Sequence, residues 1–540
     1  MPKIIIDGKT IETRAGIPVL QAAIEMGLDV PHYCYHPGLS IVASCRLCLM
    51  EMKMPNPKTG EQDWSPKLAP SCQTPVRDGM EVRFNSDKVR ANQSSCMEFF
   101  LLNHPLDCPV CDQAGECYLQ DYSYKFGKPE SRMVDQKYVN PKKDVGSKTL
   151  LYADRCVLCS RCTRFTDEVA GTGELGITNR GSKCEIDVFP GKSLENALQG
   201  NVVDICPVGA LLDKDFLFKQ RVWFLRDTNS VCPHCSTGCT IHIDHNDGVV
   251  QRLKPRYNPG VNDWWMCDEG RFGYKHVHDP NRLAALKMRR GDSVEQADWA
   301  GFADSLRFRL GEIVKNKGAG KIAVVLSPFA ACEEAFLLAT AVRELDAQAT
   351  LVLGKVPVVG EDQKFPTGAA DGKVKFVIRQ EKCPNRLGIE AVIAGLGGPT
   401  ATLAEFLERA AKGEFAAVWI AGGYLAPWVD KDWEKLVGKV GWLVVQDLFP
   451  SKLSDAAHVV IPACAVAERA GSFMNATGKL QPFEWAVRPP EGCKRDGQFL
   501  YELAGLEGVY NAGRVRELMG AKIPALAEVW TPPLLPVHQH

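Results

Sequence analysis

Arg155-Cys156-Val157-Leu158-Cys159-Ser160-Arg161-Cys162, answered further along the chain by Cys206-Pro207, is the stretch on which the fold turns. Three cysteines separated by pairs of residues, closed by a remote Cys-Pro, form the ligand pattern of a [4Fe–4S] cube, ahead of zinc as the alternative. A bacterial ferredoxin with two clusters would carry two complete runs, each lending its last cysteine to the other cube. Here only one remote Cys-Pro follows, so Cys156, Cys159, Cys162 and Cys206 are read as a single site. Arg155, Arg161 and Arg164 interleave with these ligands. Their charge would favour the reduced, more anionic cluster; the plainer reading is a solvated basic face.

Working outward, three more sets emerge. Cys34, Cys45, Cys48 and Cys72 place two outlying cysteines around a close pair. That arrangement suits a [2Fe–2S] cluster, in which each iron takes two thiolates, with structural zinc as the alternative. His104, Cys108, Cys111 and Cys117 supply three thiolates and one imidazole. A neutral histidine can bind iron, and replacing a thiolate by it removes one negative charge and should raise the reduction potential. Cys232, Cys235, Cys239 and Cys267 give four thiolates again, with zinc a serious competitor on spacing alone. Six of the 21 cysteines stay unassigned: Cys96, Cys184, Cys332, Cys383, Cys464 and Cys493 are read as buried, inert thiols.

Such close-spaced groups in a chain of 540 residues point to cluster sites and not to a disulfide framework. Net charge is −1 with no basic block, which argues against a nucleic-acid footprint. No apolar run reaches the roughly 18–20 residues needed to span a bilayer, and the start lacks the apolar core of a secretory signal. Any connection to a membrane is therefore expected to run through partners.

Seventeen of the cysteines lie in the first half, and the texture changes beyond it. Residues 3–12 read as a hairpin around Asp7-Gly8, followed by a helix over 19–26 ending at Gly27 and a strand over 80–84. A helix is expected over 87–102, with 103–127 rich in loops. Beyond about 295, apolar strands at 322–326, 350–353, 416–420 and 442–445 alternate with helical stretches such as 332–345. This is the pattern of an open, mostly parallel α/β sheet.

The fold class is thus α+β and multi-domain. A plant-type ferredoxin (β-grasp) domain over 1–84 precedes a His/Cys3 [4Fe–4S] module over 85–127. A ferredoxin-like [4Fe–4S] module follows over 140–222, then a further 4Fe–4S domain over 225–283. An α/β domain over 295–521 and an extended Pro-rich tail over 522–540 complete the chain.

Gly171-Thr-Gly-Glu-Leu-Gly176 matches the dinucleotide fingerprint in letters only. It lies between cluster ligands without the strand before and helix after that the motif needs, and is read as a loop. No Walker loop and no convincing nucleophile–base set appears, so no catalytic residue is assigned and the expected chemistry is one-electron transfer.

The order of these sets resembles the large iron–sulfur subunits, of the 75-kDa type, of respiratory NADH:quinone oxidoreductase, complex I. Cys34-Tyr-His36-Pro-Gly38, Cys45-Arg-Leu-Cys48 and especially Asp107-Cys-Pro-Val-Cys-Asp-Gln-Ala-Gly-Glu-Cys117-Tyr-Leu-Gln-Asp121 carry the resemblance. Asp455-Ala-Ala-His-Val-Val-Ile-Pro462 and Glu468-Arg-Ala-Gly-Ser-Phe-Met-Asn475 are similar to a molybdopterin-oxidoreductase domain, and the likeness covers nearly the whole chain.

The resemblance implies one [2Fe–2S] and three [4Fe–4S] clusters. It also implies a flavin-bearing NADH-oxidising partner, a [2Fe–2S] partner subunit and quinone-side iron–sulfur subunits. The expected place is the cytoplasmic face of a bacterial inner membrane, peripheral and held by partners. In the family the fourth cluster occurs in only some bacterial versions and lies off the main path.

Two departures stand out. The part after Cys267 is far shorter than in working molybdopterin enzymes, and Cys267-Asp-Glu-Gly-Arg271 lacks the lysine that active members carry there. A molybdenum-free scaffold is therefore expected.

An NAD-linked formate dehydrogenase subunit shares all four sets and is the alternative function; it would need a molybdenum or tungsten ligand. An iron hydrogenase would need two complete Cys-Pro runs and a further cysteine set. A zinc-stabilised scaffold would carry no electrons. The His104→Cys variant should keep the second cluster and lower its potential, because a thiolate adds negative charge. A redox titration in which the cluster is present and its potential rises would refute the ligand assignment.

Overall fold

The computed structural model describes residues 1–55, 60–291 and 293–532. The first unit is a mixed sheet in which strand Lys3–Ile6 pairs antiparallel with Lys9–Glu12 and parallel with Glu81–Arg83. Asp7 and Gly8 take φ of 49° and 80°, the left-handed pair that matches a two-residue hairpin to strand twist. Helix Val19–Glu25 turns Val19, Leu20, Ala22 and Ala23 onto this sheet. Cys48 and Cys72 belong to the same apolar core, so the ligand loop is anchored in the unit's interior.

Ser86 Oγ accepts from Val89 N at 3.3 Å and starts helix Asp87–Leu101. The stretch 103–127, expected to be rich in loops, also holds a helix that its local sequence did not announce, Tyr118–Phe126. Tyr118, Tyr122 and Phe126 recur four residues apart and pack ring on ring at 5.7 and 5.9 Å. The tertiary face they form against Tyr33 outweighs the loop signals beside it.

The third unit is a three-stranded antiparallel sheet of Lys142–Asp144, Thr149–Tyr152 and Leu211–Asp213. Its ligand-bearing helix Arg161–Phe165 widens into a π-turn, Thr166–Ala170, that ends at Gly171. The glycine motif that starts there follows a helix and runs into strand Leu175–Thr178, the reverse of a dinucleotide turn, so its last two residues are strand and not loop. The fourth unit is an antiparallel meander of Arg226–Val231, Thr240–Asn246 and Val249–Pro255. One continuous apolar core runs through residues of all these units, from Cys34 through Leu119, Leu151 and Val169 to Ile243 and Trp265.

Beyond them stands an eight-stranded sheet. Its order is Ser293–Gln296, Lys287–Arg290, Val459–Pro462, Trp442–Asp447, Ala417–Ala421, Ile322–Leu326, Thr350–Leu353, Thr400–Ala401. The first two strands are antiparallel and the rest mutually parallel. The sheet thus begins at Lys287, before the change of texture near 295, because its short edge strands carry no buried apolar run. Val324, Trp419 and Val444 face one helical layer while Val325, Val418 and Val445 face the other.

The tail also differs from an extended expectation. Helix Ala512–Lys522 leads into a 3-10 turn, Pro524–Leu526, and Trp530 Nε1 donates to Asn258 Oδ1 at 3.1 Å. The rest of the expected tail, residues 533–540, lies outside the described residues. Among the described residues no helix is long and apolar enough to cross a membrane.

Arg282, at the end of the fourth unit, makes a two-pronged ion pair with Glu468 of the α/β domain at 2.7 Å on both prongs. Both side chains are 2% exposed. Removing one partner would strand the other charge in a dry interior. Glu468→Ala should therefore cost about 3–5 kcal/mol. Denaturant unfolding of the full chain measures this, and a loss below about 1 kcal/mol would mean the pair is solvent-screened.

Candidate metal centres

In the first set all four thiols are buried. Cys34 and Cys45 Sγ stand 3.6 Å apart, and Tyr33 N–H points at Cys45 Sγ from 3.5 Å. Ala43 and Arg46 adopt φ of 51° and 60°, conformations that non-glycine residues avoid. They wrap the backbone between the outlying Cys34 and the pair Cys45–Cys48. Hydrogen bonds from Cys45 and Cys72 pull the Cys34 thiol well down, and the bond from Cys72 brings Cys48 to about 7. Their donors, Cys45 and Cys72, are pushed up in return.

In the second set Cys111 is buried, Cys117 half-buried and Cys108 exposed. Burial, with Arg155 and Lys137 nearby, brings His104 down to about 4, so its imidazole is neutral near pH 7. Cys117 is the N-cap of the helix Tyr118–Phe126. Burial dominates there and lifts the thiol to about 12.

The third set lines a small hollow whose walls hold Cys156, Cys159, Cys162 and Cys206 with Leu151, Ile186 and Leu211. Leu158 and Ser160, between the ligands, take φ of 52° and 58°, and Leu158 N–H reaches Cys156 Sγ at 3.3 Å. Four thiols around an apolar hollow, with no carboxylate among the lining residues, fit an iron–sulfur cluster better than a hard cation. Arg155, Arg161 and Arg164 are buried, which overturns the solvated-face alternative.

In the fourth set all four cysteines are buried. Cys267 caps helix Asp268–Phe272, and Gly270 N–H lies 3.5 Å from its sulfur. A Cβ at Gly270 would stand 2.8 Å from Cys232 Sγ, so only glycine lets the backbone approach so closely. Among the described residues no group of three or more His, Cys, Asp or Glu is gathered for a single metal ion.

The sets adjoin one another. Arg164 Nη2 donates to the carbonyl of Cys34 at 2.5 Å and to that of Cys159 at 3.3 Å. Arg161 similarly joins Tyr35 O at 2.6 Å to Ile205 O at 3.2 Å. Tyr118 N–H, next to Cys117, donates to Pro207 O, next to Cys206, at 3.1 Å. A Cβ at Gly209 would stand 2.2 Å from Cys111 Sγ. The third set is therefore flanked by the first and the second. Sequence reasoning missed these bridges, and also the N-cap role of Cys117, whose signal was the aromatic repeat after it. Of the six leftover cysteines, Cys332, Cys383 and Cys464 are buried as expected, whereas Cys96, Cys184 and Cys493 are half-buried.

Family models match the chain in the same order. A 2Fe-2S iron-sulfur cluster binding domain covers 3–87, and the NADH-ubiquinone oxidoreductase-G iron-sulfur binding region covers 93–132. The ferredoxin-like domain of NADH-quinone oxidoreductase subunit 3 covers 146–212. The molybdopterin oxidoreductase Fe4S4 domain covers 225–279, and the molybdopterin oxidoreductase model covers 384–506.

Among curated relatives, the G-type subunit of NADH-quinone oxidoreductase from Rickettsia felis is 36% identical over 345 residues, 64% of this chain and 49% of that protein. The mitochondrial NADH dehydrogenase [ubiquinone] iron-sulfur protein 1 of Solanum tuberosum is 40% identical over 283 residues, 52% of this chain and 37% of that protein. The chain spans about half the length of the Rickettsia relatives it matches. A solved NAD+-reducing [NiFe]-hydrogenase chain is 27% identical and covers 41% of this chain at a TM-score of 0.36. The resemblance read from the sequence is borne out: the relatives are G-type and 75-kDa proteins of NADH-quinone oxidoreductases, and 2Fe-2S and 4Fe-4S binding domains are present.

Burial sets a pH dependence for loading. It lifts the Cys159 thiol to about 11 and those of Cys117 and Cys267 to about 12. An unfolded thiol ionises near about 8.5, so the folded, metal-free chain holds extra protons above that pH and loses stability as pH rises through the folded values. Ligation needs thiolates, so iron uptake releases protons. Iron bound per chain on reconstitution should rise from pH 7 to 8.5, while the melting temperature of the metal-free chain falls above that range. A flat uptake profile would mean that the thiols are already ionised.

Proposed function

We propose, from the kinship of this chain with the G-type and 75-kDa proteins, that it is an iron–sulfur electron-transfer subunit of an NADH:quinone oxidoreductase. It would stand between a flavin-bearing NADH-oxidising partner with its [2Fe–2S] companion and quinone-side iron–sulfur subunits. The observation that carries this reading is the contiguity of the ligand sets. Cys34 and Cys159 share the Arg164 guanidinium, while Cys117 and Cys206 are joined by one backbone hydrogen bond between their neighbours.

Bound clusters would supply one-electron carriers, a [2Fe–2S] at the first set and a [4Fe–4S] at each of the others. The chain's own residues do the rest. Arg155, Arg161 and Arg164 neutralise charge in a dry interior, and apolar walls such as Leu151 and Ile186 exclude water. His104, kept neutral by burial, offers an imidazole where the other sets offer a fourth thiolate.

The N-terminal sheet, with its hairpin, packed helix and ligand loop, supports the plant-type ferredoxin (β-grasp) reading. Exposure of Cys108, with Leu106 and Val110 exposed beside it, makes the second set the natural side for an electron acceptor. Arg271, which follows the fourth ligand, is committed to Asp204 at 3.1 Å, which supports a molybdenum-free domain. The place proposed is peripheral, on the cytoplasmic face of a bacterial inner membrane and held there by partner subunits.

Metal analysis with low-temperature EPR of dithionite-reduced, anaerobically purified protein tests the reading. About 14 irons per chain, one [2Fe–2S] signal, several [4Fe–4S] signals and no molybdenum are expected. Stoichiometric molybdenum would move the chemistry into the α/β domain and make the chain formate-dehydrogenase-like. A colourless protein holding zinc would leave only a scaffold.

A further inference from the structure

We propose that the hairpin of strands Gln363–Phe365 and Phe376–Ile378 is a strap that fixes the fourth ligand set against the third. In sequence the hairpin belongs to the α/β domain, between strand Thr350–Leu353 and helix Arg386–Leu396. In space its apolar side leaves that domain: Phe365, Phe376 and Ile378 are buried in the core that holds Cys34, Val169, Cys239 and Cys267. Neither of the two apolar layers beside the large sheet includes them.

One end grips the third set. Thr367 donates both its N–H and its hydroxyl to Ala170 O, each at 3.0 Å, where the ligand-bearing helix ends. There the chain turns through Gly171 at φ +74°, and a Cβ would stand 2.5 Å from Thr367 N and 2.9 Å from Pro366 Cβ. A side chain at this position is excluded twice, by the left-handed backbone and by the strap pressed against it. This accounts for the first glycine of the motif that resembles a dinucleotide turn. Glu168, one turn earlier, faces Lys375 of the strap at 3.9 Å and accepts from Ser40 N of the first-set loop at 2.9 Å.

The other end grips the fourth set. Thr237 Oγ1, between Cys235 and Cys239, donates to Val377 O at 2.7 Å. Ser236 N–H donates to Glu381 O at 2.9 Å, and Lys382 pairs with Glu269 at 2.5 Å, two residues after Cys267. A two-stranded ribbon with hydrogen bonds at both ends and an apolar face between them is a spacer. It carries no ligand of its own, yet sets how the Cys235–Cys239 loop sits relative to the helix of Cys162.

Gly171→Ala in the full chain, purified anaerobically beside the wild type, tests the strap by disturbing one end and reading the other. Each lost hydrogen bond weakens local protection by about 0.5–1.5 kcal/mol, so amide exchange across residues 235–239 should quicken by about threefold to tenfold. Thr237→Val makes the reverse test, with faster exchange expected at residues 166–172. Iron per chain should stay at the wild-type value, and the magnetic interaction between the third and fourth centres should weaken in EPR. Unchanged exchange at the far end in both variants overturns the strap, whatever happens at the near end. The inference rests on the iron–sulfur reading only for its EPR arm. Wild-type protein without iron would sink that reading and leave the exchange test intact.

Discussion

A single buried guanidinium holds the first and third ligand loops together. Arg164 donates to Cys34 O, Ser40 O, Cys159 O and Ser160 O, so backbone from two folding units converges on one side chain. Carbonyls near an iron–sulfur site carry negative potential toward an already anionic centre. A delocalised, always charged fork that satisfies several of them at once offsets that penalty in a way lysine's compact ammonium would not. Arg161 repeats the device between Tyr35 and Ile205, and Arg155 extends it to Asp107 beside Cys108, at 2.6 Å. Together with the Tyr118–Pro207 and Ser40–Glu168 hydrogen bonds, these bridges fix a register that apolar contact alone would not.

The aromatic node around Trp265 adds the packing counterpart. Trp265 is 1% exposed, stacks on His36 at 5.5 Å and meets Phe165 at 5.0 Å. These three rings come from the loop after Cys34, the helix after Cys162 and the approach to Cys267. Gly38 lies so close that a Cβ would stand 2.8 Å from the indole. The Cys34-Tyr-His36-Pro-Gly38 motif is thereby explained by inter-unit packing as much as by ligation.

Much of this was legible in the sequence where chemistry forces spacing. The Asp7-Gly8 hairpin and helix Cys332–Leu345 follow from turn stereochemistry and apolar periodicity, and the order of iron–sulfur binding domains follows the order of the cysteine groups. Helix Tyr118–Phe126 was hidden because its loop neighbours supplied the louder local signal. The left-handed Leu158 and Ser160 carry no glycine to announce them. The strap hairpin could not be assigned to the iron–sulfur core, since short strands of three residues reveal no address. Edge strand Ser293–Gln296 is exposed throughout, so no burial pattern marked the sheet's true beginning.

The uneven exposure of the ligands has a chemical corollary. Every thiol of the first and fourth sets is sealed from solvent, whereas Cys108 stands at the surface. Oxidants such as peroxide reach accessible sulfur first and carry it toward sulfenic and higher acids, some of them irreversible. The corner open to a neighbouring protein is therefore also where corrosion would begin. A partner seated over Cys108 would act as a shield, and a chain stranded without its neighbours would age from that edge inward.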